Sequence, residues 1–322
     1  MGELIDGHWC RTTPETATSA AAFLRRPSIF RSWVTADGAP IDGTRSFSAQ
    51  AGRSHLYVSL ACPWAHRTLI MRSLRGLERL VGLSVVHWLM GEEGWTFDPS
   101  LDVVPDTVNG VSKLHELYVL ADPRCTSKVR VLWDKIERTI VSNESSEIIR
   151  MFNTAFVDLG ALPGDYFPAE YREEIESVNE RVYTNLNNGV YRAGFAKRAD
   201  VYEAAAYDVF ETLDWLEARL ADQSYLVGGK LTEADIRLFT TLIRFDSVYY
   251  GHFKCNLRRL VDYPRLWGYT RNLFQHPKIR STVNMAHIKA HYFSSHPWLN
   301  PSGIVPIGPV LDLNAPVQPL NS

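Results

Sequence analysis

From "HLYVSL" the chain alternates: Leu56, Val58 and Leu60 recur at every second position, the spacing of a strand. Just past Cys62-Pro63 the apolar positions switch to helical spacing, with Trp64, Leu69, Ile70, Leu74 and Leu77 on one stripe. A second strand is predicted over "LSVVHWL" (Leu83 to Leu89). A long connection follows, holding "EEGWTF" and a helix over "SKLHELYVLA". "VRVLWD" and "RTIVS" predict a hairpin, and "NESSEIIRMFN" a helix. Beyond about Pro168 the pattern is helical as far as Lys289. "LTEADIRLFTTLIRF" there opens with Thr232 and Asp235 three apart, like a capping box.

Strand, helix, strand, long connection, strand, strand, helix is the order of a thioredoxin-like domain. The expected fold class is therefore α/β plus all-α. Residues 1–53, broken by Pro14, Pro27, Gly38, Pro40 and Gly43, read as an irregular extension wrapping the surface. Residues 54–155 form the thioredoxin-like domain, 168–293 an all-helical C-terminal domain, and 294–322 an extended, proline-rich tail.

Composition removes several classes of function. With 322 residues the chain can bury a core without disulfides or metal. A net charge of −2 supplies no field toward nucleic acid or anionic lipid. No run of 18 apolar residues is present and the first 25 residues hold no apolar h-region, so neither membrane span nor secretory signal is expected. The four cysteines, Cys10, Cys62, Cys125 and Cys255, are scattered, which fits a reduced, cytoplasmic chain. His287 and His291 are four apart, but "HIKAH" lacks the glutamate of a zinc-protease helix and reads as non-metal.

Only Cys62 sits between a strand and a helix. Unpaired N–H groups and aligned peptide dipoles at a helix start favour a thiolate, and Pro63 suits the first turn because it has no N–H to leave unpaired. Cys62 is thus either a reactive thiolate or a buried structural cysteine. Three residues on stands Ala65, so no local thiol can resolve a mixed disulfide unless Cys10, Cys125 or Cys255 folds close, and a small cytosolic thiol such as glutathione is the simplest second reactant. "VSNESSE" places Asn143, Glu144 and Ser145 at a strand end and helix start. Backbone N–H groups and the Ser145 hydroxyl there suit a carboxylate, and Glu144 suits an ammonium; an ordinary N-cap cluster is the alternative.

"CPWAHR", "EEGWTF", "LWDK…TIVSNESSEIIRMFN", "NNGVYRAGFA", "LVGGKLTEADIRLFTTLIRFD", "GHFKCNLRR" and "IKAHYF…GIVP" together resemble the glutathionyl-hydroquinone reductases, the Xi class of glutathione transferases. The likeness runs from about residue 30 to residue 313. It implies a homodimer that reduces glutathionyl-hydroquinones with glutathione as co-substrate and without metal. By the same resemblance Cys62 is the nucleophile, and Trp95 with the Glu144-Ser145 pair contacts glutathione. Tyr191 is the proton donor, and Tyr249 and Tyr292 favour the thiolate.

One stretch departs from the family. Where its members read Thr-Val-Pro-Val-Leu-Trp-Asp with a cis proline, this chain reads "TSKVRVLWDK", with Arg130 in the proline's place. A cis bond without proline costs about 2.5–4 kcal/mol, so a trans peptide in a rebuilt loop is expected. Val129 inherits the backbone contact to glutathione, with Lys128 beside it. Two other functions share this scaffold: a broader Omega-like Cys-type transferase, reducing disulfides, dehydroascorbate or phenacyl-glutathione, and a non-catalytic carrier of aromatic ligands.

Overall fold

Asp6 and Gly7 take φ of 48° and 75°, the two left-handed residues that a tight hairpin turn requires. They fold the start of the chain into antiparallel strands β1 (Gly2–Ile5) and β2 (His8–Arg11). Two further short strands, β3 (Trp33–Thr35) and β4 (Ser46–Ser48), pair in parallel. The described residues among the first 53, expected to be irregular, thus hold four short strands. The computed structural model describes residues 2–11, 23, 25, 27–126 and 131–316. The chain forms two compact units: Met1–Ala17, Pro27–Gly164 and Thr282–Trp298 make the first, and Thr18–Arg26, Asp165–Ser281 and Leu299–Ser322 the second.

In the first unit β5 (Ser54–Val58) leads into α1 (Pro63–Leu74), and β6 (Gly82–Val85) pairs with β5 in parallel. The predicted second strand was longer. It ends at Val85, and the chain after it builds a small hairpin of β7 (Met90–Gly91) and β8 (Gly94–Trp95). Helix α2 (Leu114–Ala121), strands β9 (Val131–Asp134) and β10 (Thr139–Ser142) and helix α3 (Ser145–Thr154) complete the series. The sheet order is β10-β9-β5-β6, with β9 antiparallel to both of its neighbours. Every residue of β5 is buried, because helices cover both faces. Tyr57, Trp133 and Ile140 pack with Leu114, Leu117 and Tyr118 of α2 in one core cluster. The long connection is tied down by Asp106, whose carboxylate accepts the Tyr57 hydroxyl at 2.7 Å and the Val108 N–H at 2.9 Å.

The second unit is helical. It comprises α4 (Arg172–Arg181), α5 (Gly189–Gly194), α6 (Ala199–Arg219), α7 (Glu233–Leu242), α8 (Pro264–Gln275) and α9 (Pro277–Arg280). The capping box is present. Asp235 accepts the Thr232 N–H at 2.8 Å and its hydroxyl at 3.0 Å, and also the Leu226 N–H and the Tyr269 hydroxyl. Complete burial pushes the pKa of its carboxyl up, against those four hydrogen bonds. Two turns are π-helical, Val182–Asn187 ahead of α5 and Phe245–Tyr249 after α7. The last helix, α10 (Met285–Ser294), belongs to the first unit. No described helix is long and apolar enough to cross a membrane.

Candidate active site

Cys62 is the N-cap of α1. Its backbone is extended (φ −73°, ψ 119°), its N–H donates to the Ser59 carbonyl at 3.1 Å, and its own carbonyl accepts from His66 N–H at 3.0 Å. Proline occupies the first turn, and the Cys62 side chain makes no cap hydrogen bond. The residue is half-buried, at the head of a helix of which all but Arg72 is buried. Two of the other thiols are poor resolving partners at neutral pH. Burial pushes Cys125 up to about 11 and Cys255 up to about 12.

The second helix start at this sheet belongs to α3. Strands β5 and β10 both run against β9, so they run in the same direction, and α1 and α3 open at the same edge. The strands that lead into them, β5 and β10, lie two strand spacings apart, about 9.5 Å. Glu144 is the N-cap of α3: one carboxylate oxygen accepts from Ser146 N–H at 3.1 Å and from its hydroxyl at 2.8 Å, and the other accepts from Ser28 Oγ at 2.9 Å. Ser145 behaves differently. It is 2 % exposed, and its Oγ has no hydrogen-bond partner among the described residues. Such a hydroxyl is costly unless a ligand completes it.

Trp95 lies in β8 and stacks on His291 of α10, ring centroids 4.7 Å apart and planes 30° apart. His291 Nδ1 lies 3.0 Å from the Trp88 carbonyl and 3.0 Å from Ser295 Oγ. Tyr292, the next residue, is 1 % exposed, and its ring packs on His291 and His296. His287 Nε2 meets the Leu101 carbonyl at 2.8 Å. Both histidines of "HIKAH" thus hold backbone carbonyls, and no cluster of metal-ligating groups occurs among the described residues.

The other two tyrosines lie in the second unit. Tyr249 closes the second π-turn, is fully buried, and stacks on Phe253 at 5.5 Å and 17°. Tyr191 is half-buried on α5, with its ring 6.1 Å from Tyr249 and 5.4 Å from Phe253. A Cβ on Gly194 would stand 2.3 Å from the Phe253 ring, so only glycine lets that ring seat on α5. Turns of π type recur at functional sites because the extra residue re-aims side chains; here each adjoins one tyrosine of this ring cluster. Lys128, Val129 and Arg130 lie outside the described residues. The first unit thus carries Cys62, Trp95, Glu144, Ser145 and Tyr292, and the second carries Tyr191 and Tyr249.

Residues 199–272 match the family model "Glutathione S-transferase, C-terminal domain". The chain is 53% identical over 315 residues to glutathionyl-hydroquinone reductase PcpF of Sphingobium chlorophenolicum, covering 97% of this chain and 98% of that protein. It is 52% identical to YqjG, a glutathione transferase homologue from Escherichia coli K-12 solved with glutathione bound, over 98% of each chain at a TM-score of 0.90. A Xi-class transferase from Natrialba magadii matches at 45% identity and a TM-score of 0.91, over 99% of this chain and 97% of the other. The chain belongs to the glutathionyl-hydroquinone reductases, the Xi class of glutathione transferases. Its thioredoxin-like and all-helical parts are those of that fold.

In this Xi-class chain two neighbours of Tyr191 escaped the sequence reading. The Phe23 ring packs on it at 6.0 Å, and the Arg25 guanidinium lies 5.3 Å from its centroid while Nε donates to Asn188 Oδ1 at 2.8 Å. Both come from the proline-broken start of the chain, where no local pattern points at α5. Phe253 lay within "GHFKCNLRR", but its place between two tyrosines is a long-range fact.

Proposed function

We propose that the chain removes glutathione from glutathionyl-hydroquinones through a mixed disulfide on Cys62. The observation that carries this reading is Cys62 at the start of α1, on the sheet edge that also presents the buried, unpartnered Ser145 hydroxyl. The two strands that lead into these helices lie about 9.5 Å apart, comparable with the about 10 Å of an extended tripeptide. In this reading a γ-glutamyl group held at the start of α3 lays the adjoining cysteine along that edge, its sulfur toward Cys62.

The Cys62 thiolate attacks the sulfur of the adduct. The sulfur–aryl bond breaks, its electron pair stays on the ring carbon, and a proton delivered there gives the hydroquinone. Tyr191 is our candidate donor, with Tyr249 and Tyr292 as phenols that hydrogen-bond the thiolate without adding charge. A second glutathione thiolate then attacks the Cys62 mixed disulfide, releasing oxidised glutathione and regenerating the Cys62 thiolate. The net change is one adduct and one glutathione giving one hydroquinone and one glutathione disulfide.

Trp95 and the Glu144-Ser145 pair make the glutathione contacts in this reading, joined by the Val129 backbone and Lys128. The protein acts as a cytoplasmic homodimer, with residues 54–155 as the glutathione-binding domain and 168–293 as the helical one. Turnover of glutathionyl-menadione, measured as released hydroquinone, tests the function. Turnover of glutathionyl-acetophenone without activity on the menadione adduct would move the chain to Omega-type chemistry.

A further inference from the structure

Trp9, in β2, touches two separate segments of the first unit, α2 and the β7–β8 hairpin. Its ring stacks on His115 of α2, with centroids 4.4 Å apart and planes 9° apart. Its Nε1 donates to the Glu92 carbonyl at 2.8 Å. A Cβ added at Gly94 would stand 2.8 Å from two outer indole carbons, so the ring packs against bare backbone, at a residue with φ of 73°. Arg11 beside it pairs with Glu92 and Glu93, and Lys113 pairs with Glu93. These ion pairs are exposed and hold little energy, so the indole is the main contact.

Glu92 and Gly94 belong to the β7–β8 hairpin, a ladder of two residue pairs that has too little structure to stand alone. Its far side rests on α10 and the residue after it. Trp95 stacks on His291, and Met90 N–H donates to Ser295 Oγ at 3.0 Å. The hairpin bearing Trp95 is thus held between the first dozen residues of the chain and a helix near its end.

We propose that Trp9 is a positioning residue for the glutathione site: pressed on Gly94 and bonded to Glu92, it holds the Met90–Trp95 hairpin against α10 and fixes the plane of the Trp95 ring. The proposal rests on the reading of Trp95 as a glutathione contact. Cys62 stands on a different element, so loosening the hairpin weakens capture of glutathione while leaving the attack of Cys62 on a bound adduct nearly intact.

Titration calorimetry with glutathione on the full-length Cys62→Ser protein, which binds without turning over, measures this directly. Adding Trp9→Ala is expected to raise Kd about tenfold, and in the Cys62 protein Trp9→Ala should leave kcat within about twofold. Trp9→Phe keeps a ring at His115 but loses the N–H and the outer ring carbons that meet Gly94, and should give a smaller rise of about threefold. A residue that merely anchored the fold would lower the melting temperature and leave Kd unchanged; that result, or a fall in kcat at constant KM, overturns the proposal. If Trp9→Ala does not fold, an unchanged Kd for Trp9→Phe overturns it alone. Failure of the Cys62→Ser protein itself to bind glutathione refutes the glutathione reading first, and the proposal with it.

Discussion

Helices α1 and α3 start at one edge of one sheet, and they are capped in opposite ways. Glu144 commits its side chain to α3, taking the Ser146 N–H and hydroxyl and the hydroxyl of Ser28. Cys62 commits nothing: its side chain makes no cap bond, and the proline after it removes one donor. An ordinary cap stabilises a helix by about 1 kcal/mol, and α1 forgoes it. That helix is held instead by burial of nearly its whole length. Local stability has been moved from the helix start to the packing, which leaves the sulfur free to react. At α3 the cap is kept, and the neighbouring Ser145 carries the unfilled hydrogen bond instead.

Breaking this contrast at α1 should have the largest effect. Cys62→Ser is expected to lower turnover of glutathionyl-menadione by at least about 10³-fold with a melting temperature unchanged or slightly raised, since no cap bond is lost and a serine hydroxyl can supply one; surviving turnover refutes the mixed-disulfide route. Acid comes next, acting through the strand that feeds α1. Burial, reinforced by Lys135, pushes His55 down to about 4, and burial with Lys254 does the same to His252 in the helical unit. The unfolded chain takes up these protons near pH 6.5, and the folded one only near pH 4. Stability is therefore full above about pH 6.5 and falls as pH drops toward 4, by on the order of 1–3 kcal/mol per ring. Urea midpoints across that window should show the loss, and His55→Gln should flatten only its own share.

At α3 the effects are smaller and separable. Glu144→Ala should cost about 1 kcal/mol, read as a melting shift of about 2 °C, together with weaker glutathione binding. Ser145→Ala sharpens the contrast most. With no partner to lose, it should leave apo stability unchanged or slightly raised, while glutathione binding weakens about two- to tenfold by titration calorimetry. A loss of apo stability would mean that the hydroxyl is already satisfied.

Much of this was legible in the residues. The switch at Cys62 from two-residue to helical spacing marks the β5–α1 turn, and Thr232 with Asp235 marks the start of α7. The first hairpin was missed although Asp6-Gly7 is a strong turn signal, because its strands are only four residues long and barely alternate. The strand from Gly82 stops at Val85 although apolar residues continue. Val86 and the residues after it serve the core and the β7–β8 hairpin instead. The π-turns at Val182–Asn187 and Phe245–Tyr249 have no compositional mark, since one extra residue per turn changes no spacing a reader can see. The burial of Ser145 and the seat of Trp9 on Gly94 depend on segments far apart in sequence, so no local pattern encodes them.

The first unit is not continuous: Thr282–Trp298 returns to it after Asp165–Ser281 has been laid down elsewhere. On the ribosome this imposes an order of events. At about 5–20 residues per second, on the order of ten seconds separate emergence of the sheet from emergence of α10. For that interval the β7–β8 hairpin has no His291 to stack on, and Tyr292 does not yet exist. The thiol-bearing unit is born incomplete, and α4 to α9 of the second unit must all be made before the last part of the first arrives.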